Sequence, residues 1–253
     1  MTRNPFDLTG RVALVTGASR GLGAAMALAL ADAGADIAVH GNETPPAATE
    51  TAVKAKGRQA RSFTANLARR DETKRLVPSV IDAFGRLDIL VNNAGTVQRA
   101  PAAQHPDEMW DELIAVNLSS VFLLSRAAGV HMIERGSGKI VNIASLLSFQ
   151  GGITVPSYAA AKGGVAQLTK SLANEWAGRG INVNAIAPGY MSTDNTSALR
   201  ADPVRSRQIG ERIPAGRWGE PDDLGGAVVF LSSRASDYVN GHVLVVDGGW
   251  LGR

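Results

Sequence analysis

The sequence predicts one α/β domain over residues 1–253, a doubly wound, seven-stranded parallel sheet with helices on both faces. Three observations carry this. Short β-branched runs alternate with longer helical stretches through all 253 residues, the pattern of repeated strand–helix–strand crossovers. Strand candidates such as VALV and VLVV are continuously apolar, which demands cover on both faces of the sheet. No linker or repeat divides the chain, and 45% hydrophobic with 19% charged residues supplies one sizeable core.

In order, the strands are expected at Val12 to Val15, Ile37 to His40, Arg61 to Thr64, Ile89 to Asn92, Ile140 to Ile143, Val183 to Ile186 and Val243 to Val246. Helices are expected between them, among others at Leu22 to Ala33, Asp71 to Phe84, Ser157 to Ala177 and Pro221 to Leu231. The last opens on a proline, which suits a helix's first turn.

Composition then sets function classes aside. Twenty-six basic against 23 acidic residues leave a net charge of only +3, and pairs such as Arg69–Arg70 are followed at once by Asp71 and Glu72. This is not the basic stripe of a nucleic-acid binder, so no nucleic-acid partner is expected. The absence of cysteine excludes disulfides, thiolate metal sites and a cysteine nucleophile; no metal site is expected. Near the start the longest purely apolar run, Ala24 to Ala31, falls far short of the roughly 20 residues a bilayer span needs. Residues 1–10 carry no apolar stretch of leader length. A cytoplasmic protein without a membrane partner is expected.

Ligands of such sheets bind beyond the carboxyl ends of the strands. After the first strand stands Thr16-Gly17-Ala18-Ser19-Arg20-Gly21-Leu22-Gly23, where glycines permit a tight turn and the following helix N-terminus offers N–H groups to a pyrophosphate. Asn92-Asn93-Ala94-Gly95 follows the fourth strand; its short amides can hold neighbouring backbone, although alone it reads as an ordinary turn. Tyr158 and Lys162 lie four apart on one helix face. A phenol has a reference pKa of about 10; a nearby cation lowers it, so the pair can exchange a proton with an alcohol or carbonyl. Ser145, thirteen positions earlier, ends the fifth strand, where its hydroxyl can reach the same substrate oxygen.

In order and spacing, Thr16 to Gly23, Asn92 to Gly95, Ser145, Tyr158 and Lys162 resemble the short-chain dehydrogenase/reductase family along essentially the whole chain. The resemblance implies a Rossmann-type fold, a nicotinamide cofactor and hydride transfer between an alcohol and a ketone. It makes Tyr158 the general acid/base, Lys162 the group that lowers its pKa and holds the nicotinamide ribose, and Ser145 the polariser of the substrate oxygen. Asn117, in AVNLSS, would support a proton-relaying water; read from the residues alone it is a kink inside a helix. Cofactor contacts are implied at Gly17, Ser19, Arg20, Gly21, Leu22, Gly23, Asn42, Asn66, Leu67, Asn93, Ala94 and Gly95. Near the nicotinamide they fall on Tyr158, Lys162, Pro188, Gly189, Met191 and Thr193.

An acid at the end of the second strand would select NAD and an arginine there NADP. The sequence gives neither, running Val39-His40-Gly41-Asn42-Glu43. Glu43 can bond a ribose and Arg20 can meet a 2′-phosphate, and Asn66 stands where the family usually has an Asp against adenine. NAD is expected, with NADP the alternative. Ser148 to Gly152, Ile186 to Met191, Asn195-Thr196, Arg212 to Trp218 and Val246 to Trp250 resemble a branch of the family acting on deoxy-gluconate-type sugar acids. For such a substrate the expected contacts are Ser145, Gln150 and Tyr158, with Arg99 or Arg200 on the carboxylate. The basic residue which that branch often carries near Ile153 or Thr154 is absent. Two alternatives stay open: an NADPH-dependent 3-oxoacyl carrier-protein reductase, and a nicotinamide-binding sensor or scaffold without catalysis. A homotetramer is implied by the resemblance, and apolar Val243 to Val246 with Trp250-Leu251 would be odd left in water.

Overall fold

Residues 4–253 are described by a computed structural model. The seven expected strands form β1 (Val12–Val15), β2 (Asp36–Gly41), β3 (Ala60–Thr64), β4 (Ile89–Asn92), β5 (Gly138–Ile143), β6 (Ile181–Pro188) and β7 (Val243–Val246). All pairings are parallel, in the order β3-β2-β1-β4-β5-β6-β7. Chain order reverses between β1 and β4, which opens a crevice at their carboxyl ends.

Alternation along each strand feeds two cores. Ala13 and Val15 face one side with Ile37, Val39 and Val141, and Leu14 faces the other with Leu90, Ile140 and Val183. On the first side lie α1 (Gly21–Asp32) and α9 (Gly225–Ser232), which contribute Met26, Leu30, Val228 and Leu231. On the second lie α3 (Arg70–Phe84), α5 (Ser120–Arg135) and α6 (Pro156–Trp176), which contribute Leu76, Leu124, Met132, Leu172 and Trp176. The expected helix Pro221 to Leu231 divides in two: a 3-10 turn at Pro221–Leu224, then α9. The shorter helices are α2 (Ala47–Ala55), α4 (Asp107–Ile114), α7 (Ser197–Ala201) and α8 (Pro203–Arg212).

At the opposite end of the sheet Asp88, 2% exposed, ties the elements together. Its carboxylate accepts from the Val12 N–H at 2.9 Å and from the guanidinium groups of Arg86, Arg135 and Arg11. Those bonds hold the carboxyl below the usual range even though burial pushes it up. One helical run, Asp107–Arg135, is long and apolar enough to cross a membrane, a length the sequence reading did not anticipate. Half of its apolar window is buried inside the molecule, with Leu113, Val121, Leu124 and Met132 enclosed; it is a core element.

Candidate active site

The glycine loop is shaped by close approach. Gly17 has φ +63°, and a Cβ there would come within 2.8 Å of Ala94 Cα, while one on Gly23 would overlap the Gly17 carbonyl. Asn93 explains the second motif: its amide donates to the carbonyls of Thr16 at 2.9 Å and Gly17 at 3.1 Å. The N–H groups of Asn93 and Ala94 both reach the Thr16 hydroxyl. No side chain caps the start of α1, and no acid stands in its first turn. Its positive end is therefore free for an anion.

His40 was not expected to take part. It is 1% exposed, accepts from the Gly17 N–H through Nδ1 at 3.2 Å, and meets the Ala65 carbonyl through Nε2 at 3.0 Å. That geometry requires the neutral tautomer with its proton on Nε2, and burial pushes the imidazole pKa down in the same sense. The ring pins the glycine loop to the segment after β3.

A groove of about 650 Å³ runs from this loop to Tyr158 and Lys162. Lining it are Gly17, Ser19, Arg20, Gly21, Leu22, Gly23, Asn42, Glu43, Asn66, Leu67, Asn93, Ala94, Gly95 and Thr193. His40, Asp194 and Asn195 line it too, and Asp194 bridges Arg20 across the mouth at 2.8 Å with both side chains exposed. Cradle, free helix end and glycine walls fit a dinucleotide.

Ser145 follows β5 and caps a short 3-10 turn, Leu146–Ser148, accepting from the Leu147 N–H at 3.2 Å. Ser148 donates to the Lys162 carbonyl at 2.7 Å, which locks that turn onto α6. Lys162, 4% exposed, donates to the Ile143 carbonyl at 2.6 Å and lies 5.7 Å from the centre of the Tyr158 ring. Burial lowers its pKa to about 8. Burial also pushes the Tyr158 phenol up, against the pull of the Ser145 hydroxyl and the Arg99 guanidinium. Lys162 is not among the groups that lower it, so the expected lowering gives way to burial.

Asn117 sits in a π-turn, Ala115–Ser119, fully buried. Its amide accepts from the Thr96 N–H at 2.9 Å and donates to the Thr96 carbonyl at 2.7 Å. The side chain thus fixes the strand-end loop and does not line the groove. The backbone there widens into the π-turn between α4 and α5.

A second cavity, about 510 Å³, meets the groove at Tyr158 and Asn195. Ser145, Gln150, Pro188, Gly189 and Arg99 line it, with Arg205, Gln208, Arg212, Tyr190 and Trp250. Among the described residues lining it there are three arginines and no Asp, Glu or Lys. Two expected residues lie elsewhere. Arg200 stays outside and donates to the Thr193 carbonyl at 3.1 Å, because it precedes the Asp202 cap that starts α8. Met191 is 4% exposed in the core beneath α1 and α9, its backbone bridged to Gly219. Arg205 and Arg212 were missed, although Arg205, Gln208, Ile209 and Arg212 follow the i, i+3, i+4, i+7 spacing of one helix face. Trp250 needs no second chain to cover it: Tyr190 packs 4.7 Å from its ring and Arg212 4.0 Å.

Comparison with known proteins gives the same architecture. The family profile described as enoyl-(acyl carrier protein) reductase matches residues 17–251. A 2-dehydro-3-deoxy-D-gluconate 5-dehydrogenase of Pseudoalteromonas atlantica is 55% identical over 255 residues, covering 98% of each chain. A crystal structure from Agrobacterium tumefaciens, provisionally named 2-deoxy-d-gluconate 3-dehydrogenase and holding NADP, matches with TM-score 0.92 at 54% identity, covering 99% of this chain and 100% of that one. A gluconate 5-dehydrogenase from Burkholderia cenocepacia, in complex with NADP and tartrate, matches with TM-score 0.92 at 41% identity over 98% of both chains. With its glycine loop, its Ser145–Tyr158–Lys162 cluster and these relatives, the chain belongs to the short-chain dehydrogenase/reductase family.

Proposed function

We propose that the protein is an NAD(P)-dependent oxidoreductase that interconverts a secondary alcohol and a ketone on a deoxy-gluconate-type sugar acid. The observation that carries this reading is the cavity beside Tyr158, lined by Arg99, Arg205 and Arg212 with no acid to neutralise them. Such a wall favours a carboxylate, and Gln150, Gln208 and Asn195 suit a chain of hydroxyls. The named relatives act on gluconate derivatives, and two solved ones hold NADP, which supports NADP where NAD was first expected.

When bound, the nicotinamide gives or takes the hydride. The protein handles the proton. Ser145 donates a hydrogen bond to the substrate oxygen and orients it toward Tyr158. In reduction, the phenol, kept protonated by burial, gives its proton to that oxygen as the alcohol forms. In oxidation, the phenolate removes the hydroxyl proton, with the Lys162 ammonium favouring the charged form. Asn117 serves by fixing Thr96 and the shape of the groove wall. We assign the enzyme to the cytoplasm as a homotetramer on the family resemblance, which the half-exposed edge strand β7 suits.

The test is turnover of sugar acids and acetoacetyl thioesters, each with NAD(H) and NADP(H), by wild type and Tyr158→Phe. Wild type is expected to prefer the sugar acids, and Tyr158→Phe to lose about 10²–10⁴-fold in kcat while still binding cofactor. Retained activity in Tyr158→Phe, or preference for the thioester, would remove the assignment.

A further inference from the structure

We infer that Arg212 is the group that binds the substrate carboxylate, with Trp250 as the platform that aims its guanidinium, so that the C-terminal turn is part of the specificity wall. The inference rests on the sugar-acid reading and goes beyond it by choosing among three cavity arginines.

Each arginine has a different situation. Arg99 lines the cavity together with Tyr158, and its charge pulls that phenol down against burial. Arg205 donates through Nη1 to Gln208 at 3.2 Å, along an exposed helix turn. None of the three takes part in an ion pair among the described residues, but Arg212 is the one of them stacked on an aromatic ring, its guanidinium carbon 4.0 Å from the centre of Trp250. Stacking uses the flat face of the guanidinium and leaves its edge N–H groups free for two parallel bonds to a carboxylate. It also removes side-chain freedom before the ligand arrives, so less is lost on binding.

The platform itself is fixed. Trp250 is 4% exposed, packs 4.7 Å from the Tyr190 ring and donates through Nε1 to Gln150 at 3.4 Å. Arg253 donates to the Glu211 carbonyl at 2.9 Å, tying the chain end to the last turn of α8. These contacts fix the ring against which Arg212 stacks and the helical turn that carries it.

The experiment compares kcat/KM for a sugar acid and for its uncharged amide in wild type, Arg212→Gln, Arg212→Lys, Arg99→Gln, Arg205→Gln and Arg200→Gln. In Arg212→Gln the preference for acid over amide is expected to fall about 30-fold, through KM, which corresponds to about 2 kcal/mol. Arg212→Lys, which keeps charge but not the fork, should fall between, and Arg200→Gln should retain the wild-type preference. Equal losses on acid and amide would make Arg212 structural and overturn the inference. So would a preference lost in Arg99→Gln or Arg205→Gln and kept in Arg212→Gln, and in that case the sugar-acid reading survives. A wild type that turns over thioesters and no sugar acid overturns both, and is recognised before any variant is made.

Discussion

Lys162 offers a prediction that does not require knowing the substrate. Its ammonium is buried, meets no carboxylate among the described residues and donates to the Ile143 carbonyl, and its pKa falls from 10.5 to about 8. At about 1.36 kcal/mol per tenfold change in proton affinity, holding that charge inside the cofactor-free fold costs up to about 3 kcal/mol at neutral pH. The sign follows from proton binding. Between pH 8 and 10.5 the unfolded chain keeps the proton and the folded chain has lost it, so stability from this group rises with pH across that window. Below pH 8 both states are protonated and the penalty is constant. Lys162→Met removes the titration and also the bond to Ile143, so at pH 7 gain and loss offset in part. Urea unfolding of both cofactor-free proteins at pH 7, 8, 9 and 10, at matched concentration, reads the difference directly. Wild type should gain on the variant by up to about 3 kcal/mol as pH rises past 8. A difference that stays flat with pH, or moves the other way, would refute the burial argument.

Two further outcomes concern the scaffold. Asp88→Asn should destabilise the fold by about 3–5 kcal/mol, since Arg86, Arg135 and Arg11 lose the charge they share, as read by denaturant unfolding. Because the folded Asp88 pKa lies below its ordinary value of 3.8, wild type should keep this contribution above that value and lose it as pH falls further, while the variant shows no such acid step. Gly23→Ala places a methyl against the Gly17 carbonyl and within 2.5 Å of Asn93 Nδ2; cofactor titration by fluorescence should show affinity lost by at least tenfold, with near-native circular dichroism.

The sheet was legible because a strand buried on both faces has no polar alternation to confuse, and glycine or asparagine marks its exit. Ser145, Tyr158 and Lys162 were legible for the same reason: each sits at a strand end or one helical turn from its partner. What escaped depends on contacts distant in sequence. The π-turn around Asn117 goes with an amide bonded to Thr96, 21 residues away, and nothing in AVNLSS announces it. Trp250 reads as an apolar end wanting a second subunit until Tyr190 and Arg212 are seen against it. Arg200 was preferred to Arg205 and Arg212 although Asp202-Pro203 signals a helix start, and the face of that helix was readable. Met191 lies within the nicotinamide motif, yet its side chain turns into the core.

His40 carries a consequence for changing the coenzyme. Redesign of such enzymes looks first to the residue ending the second strand, where a carboxylate or an arginine would decide between the two dinucleotides. Here that residue is Gly41, where a Cβ would come within 2.4 Å of the Thr44 carbonyl oxygen, and the His40 before it is committed to a bridge between Gly17 and Ala65 that an acid in its place would cut. Engineering of coenzyme choice in this scaffold has to begin just beyond the strand, at exposed Asn42 and Glu43, or across the groove at Arg20.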